Sequence, residues 1–398
     1  MTTLTSDLKA HQAQWQAAET AREDAGPRPG RSGEVDTKVQ VGLAAARQSR
    51  LAFMRTHGAG VYGELTNGYK KSLRVKELAQ AAAQAFPGLV PTDAQLAGEG
   101  ALKLSDKDGL ERDQGIFVYG VLDDPACGHH LIRSMLEPTQ RALDLLETFR
   151  TEGVVNLPYA RVERRDGAAW VYFKNPRYLN AEDEHTLEDV ETCVDLAILD
   201  PGSEVCVWRG DAIDSGKYAG QHIYCTGINL THLYQGGVSY LWYHTREFGF
   251  LNKVYRGIHM PDDPDDMGTE KLWLAGVDNF AIGGGCQYLL VTDYTVAASN
   301  AYMTLPARKE GIIPGAANLR LPRFVGDRIA RQAIMNERRL DCDSPEGMLI
   351  CDEICEPQAV SEAVTAVASR LTTSGVVSAA GNRRAFRIAQ EPFELFRA

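Results

Sequence analysis

The sequence predicts an α/β protein in which an all-helical N-terminal domain precedes a core that contains strands. From 34 to 153 apolar residues recur at three- and four-residue steps with almost no strand signals, which is typical of helices. From 156 onwards short apolar strands alternate with helical segments, which favours parallel pairing through right-handed crossovers. Within this second part the apolar run KLWLAGVDNFAIGGGCQ, from Lys271 to Gln287, predicts a buried strand that turns directly into a helix.

The composition is that of a globular protein with one large domain or two smaller ones. Of the 398 residues 44% are hydrophobic and 24% charged, and no window resembles a membrane span or a secretory signal. The formal net charge of −11 argues against a general nucleic-acid binder, because phosphate neutralisation needs clustered Lys and Arg. We therefore expect a cytoplasmic protein with no nucleic-acid or membrane partner.

Metal binding is not expected. The eight cysteines include no CxxC pair, and the adjacent pair His129-His130 lacks carboxylates or cysteines at ligand spacing. Buried reduced thiols are therefore the better interpretation of the cysteines.

The N-terminal part is expected to contain two segments. Residues 1–33 are predicted to be a flexible segment, with a short helix followed by the Gly/Pro-rich joint 26–33. Residues 34–155 form the predicted helical domain. Its helices are expected at Val39–His57, Tyr69–Phe86 and Leu131–Phe149.

The core is expected to occupy residues 156–360. Tyr159–Arg164 and Ala168–Phe173 flank the turn Arg165-Asp166-Gly167 and predict a hairpin. The acidic stretch 261–266 is predicted to be a solvated loop, because it lacks the spacing of a calcium loop. The other expected elements are a helix from about Ala181, strands at Val205–Trp208 and Ile223–Thr226, a long helix over Val238–Val254, strands at Tyr294–Ala298 and Tyr302–Leu305, and a helix introduced by Ile312 to Ala317.

The glycine run Gly283-Gly284-Gly285 points to oxyanion chemistry. A helix that starts there leaves backbone N–H groups unpaired, and glycine lets a ligand approach the main chain closely. A tight turn under close packing is the alternative. The spacings of a dinucleotide fingerprint and of a phosphate loop are both missing.

Two stretches resemble the crotonase, or enoyl-CoA hydratase, superfamily. YCTGINL at Tyr224–Leu230 is similar to its first oxyanion-hole segment, and Ala281 through Pro314-Gly315-Ala316 is similar to its second segment and the substrate loop that follows. The resemblance spans 159–360. It implies a spiral of repeated ββα turns, an acyl-CoA thioester substrate and a homotrimer or homohexamer.

The resemblance also implies roles and exclusions at single positions. The two oxyanion donors would be the backbone N–H groups of Ile228 and Gly284. Hydratases carry glutamates where this chain has Gln287 and Ala307. Hydration needs carboxylates that exchange protons with water, which neither an amide nor a methyl group does near neutral pH. Plain hydratase activity is therefore not expected.

A narrower branch of the superfamily is the more similar one. LPARKEGIIPGAANLRL at 305–321, RRLDCDSPEG at 338–347 and the helical extension resemble the branch that oxygenates arylacetyl-CoA thioesters. This implies that 3,5-dihydroxyphenylacetyl-CoA and O2 give 3,5-dihydroxyphenylglyoxylate and CoA without metal or flavin, in the biosynthesis of dihydroxyphenylglycine for glycopeptide antibiotics. The alternatives are a crotonase-fold arylacetyl-CoA thioesterase or decarboxylase, and a non-catalytic crotonase-fold assembly protein.

Three polar residues are predicted to contact the substrate. Glu182 lies where the family places a site beside the aryl ring, and we expect it to bind a phenol hydroxyl or help remove the α-proton; a helix-start acid is the alternative. Arg246 shares a helix face with Trp242 and Phe250, which suits a buried phenol or carboxylate contact, whereas a snorkelling arginine is the alternative. Gln287 is expected to hydrogen-bond the intermediate or, alternatively, a structural partner.

Apolar residues are expected to leave a small space for O2. Ile228, Ile312 and Ile313 are the candidates for that wall, with ordinary core positions as the alternative.

Residues 361–398 are predicted to be a C-terminal helical segment. The chain ends at Ala398 within an apolar stretch, PFELFRA, that has no helix stop signal. We expect a truncated product, and a version with a longer C-terminus to be more stable and more active.

Overall fold

The computed structural model describes residues 3–264 and 268–398, which divide into two units. Unit 1 comprises the described residues of 1–135, 230–245 and 393–398, and unit 2 comprises those of 136–229 and 246–392. Unit 2 carries both β-sheets and every residue predicted for the site. The acidic stretch predicted at 261–266 lies partly outside the described residues, at 265 and 266.

Helices account for all regular structure described in unit 1, and unit 2 contains helices as well as both sheets. No helix in the described ranges is long and apolar enough to cross a membrane. In chain order they are α1 (Leu4–Ala25), α2 (Gly33–Leu65), α3 (Val75–Ala85), α4 (Asp93–Gly100), α5 (Glu111–Asp123), α6 (Pro125–Leu136), α7 (Gln140–Glu152), α8 (Glu184–Leu199), α9 (Leu230–Tyr234), α10 (Tyr240–Arg246), α11 (Asn252–Arg256), α12 (Gly284–Leu289), α13 (Ala307–Glu310), α14 (Ala317–Asn336), α15 (Val360–Thr372), α16 (Val376–Gln390) and α17 (Phe393–Arg397).

The N-terminal segment differs from the flexible chain expected for 1–33. Helix α1 packs along α2 and buries Trp15 in a cluster with Val39 and Leu43. In the presumed joint, Arg31 Nη1 donates to Asp108 Oδ1 at 2.7 Å, and its side chain is fully buried. An amphipathic helix and a buried ion pair therefore fix this segment, although most of its residues are polar.

The sheets of unit 2 are mostly parallel. A seven-stranded sheet has the order β1-β2-β3-β4-β5-β7-β10, and a three-stranded sheet has the order β6-β8-β9. Strands β3, β4 and β5 are completely buried, as expected for parallel strands covered on both faces. The strands are β1 (Val154–Asn156), β2 (Ala160–Arg165), β3 (Ala168–Phe173), β4 (Val205–Gly210), β5 (Leu272–Val277), β6 (Phe280–Ile282), β7 (Tyr294–Ala298), β8 (Tyr302–Thr304), β9 (Leu340–Asp341) and β10 (Glu353–Cys355).

Several predicted core elements are confirmed. Strands β2 and β3 form the expected antiparallel hairpin, with Asp166 and Gly167 both in the left-handed region at the turn. Strands β3, β4 and β5 then pair in parallel through connections that contain α8 and, later, α10 and α11. Helices α8 and α15 pack against this sheet. The sheet core therefore follows the strand and helix alternation seen in the sequence.

Three predicted elements are wrong in form. The strand expected within Lys271–Gln287 is two strands, β5 and β6, in different sheets, because Asn279 takes a left-handed conformation (φ 59°) between them. The expected strand Ile223–Thr226 makes only isolated bridges among the described residues. The expected helix Val238–Val254 is interrupted by a π-helical turn, Glu247–Leu251, in which Gly249 is non-helical.

Two expected boundaries also differ. The helix predicted over Leu131–Phe149 is divided into α6 and α7, because Pro138 has no N–H and Thr139 caps α7 through Ala142 N–H. The expected C-terminal segment 361–398 is divided between the units, with 361–392 in unit 2 and 393–398 in unit 1. In unit 2, Arg387 of α16 donates to Glu270 at 2.5 Å, which holds this helix on the core.

Candidate active site

Three backbone segments of unit 2 meet at the predicted site. Glu182 N–H donates to the carbonyl of Gly227 at 2.7 Å, and Asn229 N–H donates to the carbonyl of Glu182 at 2.7 Å. Ile282 N–H donates to the carbonyl of Cys225 at 3.0 Å. Position 182, the segment 225–229 and the glycine-rich segment 281–287 are thus joined by main-chain hydrogen bonds, although they lie far apart in the sequence.

The backbone N–H groups of Ile228 and Gly284 have no hydrogen-bond acceptor within the part of the chain that the structure describes, and the same holds for Gly285 and Cys286 at the start of α12. The segments that carry Ile228 and Gly284 are in close contact, because a Cβ added to Gly227, the residue before Ile228, would be 2.8 Å from the nitrogen of Gly284. Helix α12 has only six residues, so the individual N–H groups matter more here than a long helix dipole. Unpaired N–H groups of this kind are able to donate to an anionic oxygen.

Glu182 and Arg246 form a buried ion pair beside these donors. Arg246 Nε donates to Glu182 Oε1 at 2.6 Å, and Nη2 donates to Oε2 at 3.2 Å, which is a bidentate geometry. The side chains of Arg246 and Glu182 are 5% and 2% exposed. Arg246 therefore does not snorkel. Glu182 is not a first-turn acid either, because Asp183 is the N-cap of α8.

Gln287 and Tyr288 complete this cluster. Arg246 Nη1 donates to Gln287 Oε1 at 2.6 Å, and the Tyr288 hydroxyl donates to Glu182 Oε1. Because the amide oxygen of Gln287 accepts from the guanidinium, the NH2 group of Gln287 faces away from Arg246. Among the described residues that NH2 group has no acceptor, so it is available to a ligand.

Burial and charge together set the protonation of the cluster. Burial by itself would lower the pKa of Arg246, but Glu182 and the neighbouring acidic groups outweigh it and raise that pKa above its ordinary value. Burial, and then the Glu182 carboxylate, raise the pKa of Tyr288 well above its ordinary value. The same two causes raise the pKa of the Cys225 thiol. At neutral pH the site therefore contains a charged guanidinium, a neutral phenol and a neutral thiol.

Glycine is needed at 284 because of what lies against it. A Cβ at this position would collide with the Glu182 carboxylate and would lie 2.8 Å from Arg246 Nη2. The missing side chain thus lets the ion pair approach the same backbone segment that offers its N–H group.

The isoleucines are only partly placed as expected. Ile228 and Ile312 are half-buried, whereas Ile313 is 79% exposed, so the prediction that Ile313 contributes to an apolar wall is wrong for this chain. A tight turn causes this. Ile312 N–H donates to the carbonyl of Ala307 at 3.0 Å and Gly315 N–H donates to that of Ile313 at 2.9 Å, which leaves Ile313 at the apex.

Two residues of the cluster were missed by sequence reasoning, Tyr288 and Glu247. Each directly follows a predicted residue in the chain. A Glu247 carboxylate oxygen lies 3.5 Å from Arg246 Nη1, and the other accepts from Ala316 N–H at 3.2 Å. Consecutive residues of a regular helix do not face each other, so the helix expected over 238–254 concealed this contact.

The described residues contain no group of three or more His, Cys, Asp or Glu that could hold a metal ion. All eight cysteines are free thiols. The charges next to the two N–H donors are those of the Glu182–Arg246 pair, whose carboxylate oxygens both accept hydrogen bonds from the guanidinium.

Comparison with known proteins gives two kinds of match. Residues 163–392 match the family described as enoyl-CoA hydratase/isomerase. The chain is 44% identical over 356 residues to (3,5-dihydroxyphenyl)acetyl-CoA 1,2-dioxygenase of Amycolatopsis orientalis, which covers 89% of this chain and 81% of that protein. It is 28% identical over 216 residues to crotonyl-CoA hydratase of Syntrophomonas wolfei, and the match covers 54% of this chain and 75% of that protein. It is 26% identical over 219 residues to short-chain-enoyl-CoA hydratase of Clostridium acetobutylicum, and the match covers 54% of this chain and 76% of that protein.

Proposed function

The chain belongs to the enoyl-CoA hydratase/isomerase family, and from that premise we propose that it is a dioxygenase that converts 3,5-dihydroxyphenylacetyl-CoA and O2 to 3,5-dihydroxyphenylglyoxylate and CoA. The observation that carries the proposal is the 44% identity over 89% of the chain to the Amycolatopsis dioxygenase. The geometry of the site supports enolate chemistry on a thioester. We propose that the reaction uses neither a metal nor a flavin.

Enolate formation is the step for which the backbone donors are suited. The thioester oxygen is placed between the N–H groups of Ile228 and Gly284, which strengthen their hydrogen bonds as negative charge develops. Each such donor typically contributes about 3 kcal/mol of transition-state stabilisation. Arg246 neutralises the Glu182 carboxylate next to this position, so the developing anion does not face an uncompensated negative charge.

Oxygen then reacts with the enolate. Loss of one α-proton gives the enolate, which transfers one electron to O2 and leaves an α-carbon radical beside superoxide. These combine into an α-peroxide, whose terminal oxygen attacks the thioester carbonyl and expels CoA thiolate. Loss of the second α-proton with cleavage of the O–O bond gives the α-keto acid. Both oxygen atoms enter the product, one proton is taken up by CoA, and one is released. The site has to exclude bulk water during these steps.

The polar cluster is suited to recognition of the aryl group and of the intermediate. Glu182 Oε1 already accepts from Arg246 and Tyr288, and a carboxylate still has lone pairs for a phenol hydroxyl of the substrate. We assign phenol binding to Glu182 for this reason. The free NH2 group of Gln287 is assigned to an oxygen of the bound intermediate, and Arg246 holds both side chains in place.

The same proposal includes the assembly, the location and the pathway. We propose a cytoplasmic homotrimer or homohexamer that serves the biosynthesis of dihydroxyphenylglycine for a glycopeptide antibiotic. Exposed apolar side chains on α16, those of Val377, Phe386 and Ile388, support self-association. Light scattering coupled to size-exclusion chromatography measures the assembly directly. A monomer at micromolar concentration would contradict this part.

The test of the proposed function is oxygen uptake measured together with CoA release. The enzyme is treated with chelator, checked for metals and flavin, and supplied with 3,5-dihydroxyphenylacetyl-CoA. Equal rates of uptake and release are expected. Release of CoA without oxygen uptake would instead identify a thioesterase that uses the same two N–H donors. If neither oxygen uptake nor CoA release is observed, the protein would be a non-catalytic binding or assembly protein.

A further inference from the structure

The carboxylate of Glu247 connects the site cluster to a loop that follows it in the fold. One oxygen lies 3.5 Å from Arg246 Nη1, and the other accepts from Ala316 N–H at 3.2 Å and lies 3.4 Å from Arg320 Nη1. The side chain is 13% exposed. A charge this far from solvent requires partners, and these are the guanidinium of Arg246 in the site cluster and two groups at the start of α14.

The backbone that carries Glu247 is distorted in a specific way. Glu247 opens the π-helical turn that ends at Leu251, in which Gly249 has φ −82° and ψ −116°. A Cβ at Gly249 would lie 2.9 Å from the carboxylate of Glu191, which Lys253 holds at 2.8 Å. Buried neighbours thus fix a turn type that is rare in general and frequent at functional sites.

The loop 311–316 depends on this carboxylate. Gly315 has φ 49°, and a Cβ there would lie 2.6 Å from Glu247 Oε2, so the carboxylate packs directly against the loop backbone. Ala316 is the N-cap of the 20-residue helix α14 and has no side-chain acceptor to offer. Glu247 supplies an acceptor at that helix start. Ile313, at the exposed apex, adds no apolar packing to this loop.

Alternating charges extend the contact to Glu391, the C-cap residue of α16. Arg320, in the first turn of α14, donates through Nε and Nη2 to Glu391 at 3.0 and 2.9 Å. The series Glu182, Arg246, Glu247, Arg320, Glu391 therefore alternates in sign within unit 2. Each charge holds the next one, so a change at Glu247 reaches both Arg246 and the start of α14.

We propose that Glu247 is a positioning residue that holds the loop 311–316 and the guanidinium of Arg246 in the geometry that the bound thioester requires. The inference rests on the proposed function for its catalytic consequence, but its structural consequence is independent of it. Glu247 acts through the loop and Arg246 and does not itself contact the reacting atoms.

The test combines backbone hydrogen exchange of a peptide covering 311–321 with steady-state kinetics. In Glu247→Ala, the Ala316 amide loses its acceptor, so we expect faster exchange in this peptide and a fall in kcat/KM on the order of 10- to 100-fold. Glu247→Gln keeps an acceptor oxygen for Ala316 and is expected to restore most of the exchange protection and part of kcat/KM. The control is Glu362→Ala, at an exposed glutamate in the first turn of α15.

A second variant guards against a failure of Glu247→Ala to fold. Gly315→Ala keeps the carboxylate but pushes it away and strains the left-handed backbone at this position, and it is expected to increase exchange in the same peptide and to lower kcat/KM. Wild-type exchange in both variants would overturn the proposal. Lost activity with unchanged exchange would also overturn it, because Glu247 would then act directly in the chemistry. If the wild-type enzyme consumes no oxygen, the proposed function fails while the exchange result still decides the role of Glu247 in the loop.

Discussion

Removal of Arg246 is expected to destabilise the protein as well as to abolish turnover. From the sequence we expect Glu182→Gln or Arg246→Ala to lose most turnover while folding normally. The structure adds a cost in stability, because the Glu182 carboxylate is 2% exposed and has a bidentate pair with Arg246 at 2.6 and 3.2 Å. In Arg246→Met, the carboxylate keeps the hydroxyl of Tyr288 as a donor but loses its counter-charge.

The size of the effect follows from the burial of the pair. Two unit charges about 4 Å apart attract by about 4 kcal/mol at an effective dielectric constant of about 20. Removing one partner of a buried pair typically costs about 3–5 kcal/mol, because a charge is left uncompensated. A double variant, Glu182→Gln with Arg246→Met, has no buried charge left at this pair. We therefore expect it to be more stable than Arg246→Met alone by roughly 2 kcal/mol.

Chemical denaturation followed by tryptophan fluorescence measures these differences, since Trp170, Trp208 and Trp273 are all buried in unit 2. The control is Arg331→Met, which removes an exposed arginine from its i,i+4 pair with Asp327 and is expected to leave stability near that of the wild type. A double variant as unstable as the sum of the single variants would refute the reasoning, because it would mean that the two charges do not compensate each other.

Three further outcomes are expected. Gly284→Ala brings a Cβ into the Glu182 carboxylate and shifts one N–H donor. We therefore expect kcat, measured as product formed per unit time at saturating substrate, to fall about 10²- to 10³-fold. An unchanged kcat would exclude Gly284 as a donor. Burial would raise the pKa of Glu391, but Arg320 and its neighbours outweigh burial and hold that pKa below its ordinary value of 4.5. The stability that Glu391 contributes is therefore present above about pH 4.5 and lost as the pH falls through its folded pKa. We expect the difference in unfolding free energy between the wild type and Glu391→Gln to become smaller in acid. A difference that becomes larger in acid would contradict the lowered pKa of Glu391. Trp15→Ala removes a large buried side chain from the cluster between α1 and α2, so we expect the free energy of unfolding to fall by about 3–5 kcal/mol. Unchanged stability of this variant, together with rapid proteolysis of residues 4–25 in the wild type, would instead mean that the N-terminal segment is flexible.

The parts of the site that could be predicted depend on local sequence signals. The glycine run around Gly284 specifies a backbone shape by residue type, whereas the segment that contains Ile228 is predicted only by its resemblance to the crotonase superfamily; the structure joins the two segments by main-chain hydrogen bonds. The family resemblance predicts Glu182, a shared helix face predicts Arg246, and the place after the glycines predicts Gln287; in the structure the three form one hydrogen-bonded cluster. Their roles in the reaction remain predictions.

The parts that could not be predicted depend on tertiary contacts. Nothing in the helical periodicity of 238–254 marks the π-helical turn, which packs against Glu191 of α8, and the position of Glu247 follows from that turn. Similarly, an isoleucine in a loop has the same apolar character whether it faces inwards or outwards. Only the hydrogen bonds of the turn place Ile313 at its apex.

The central claim is that this site adds both atoms of O2 to an arylacetyl-CoA enolate. The most direct measurement is mass spectrometry of the product formed from 3,5-dihydroxyphenylacetyl-CoA under ¹⁸O2 in unlabelled water. We predict 3,5-dihydroxyphenylglyoxylate that carries two ¹⁸O atoms, released together with CoA. Unlabelled 3,5-dihydroxyphenylacetate would contradict it, because that product requires water as the nucleophile and makes the chain a thioesterase.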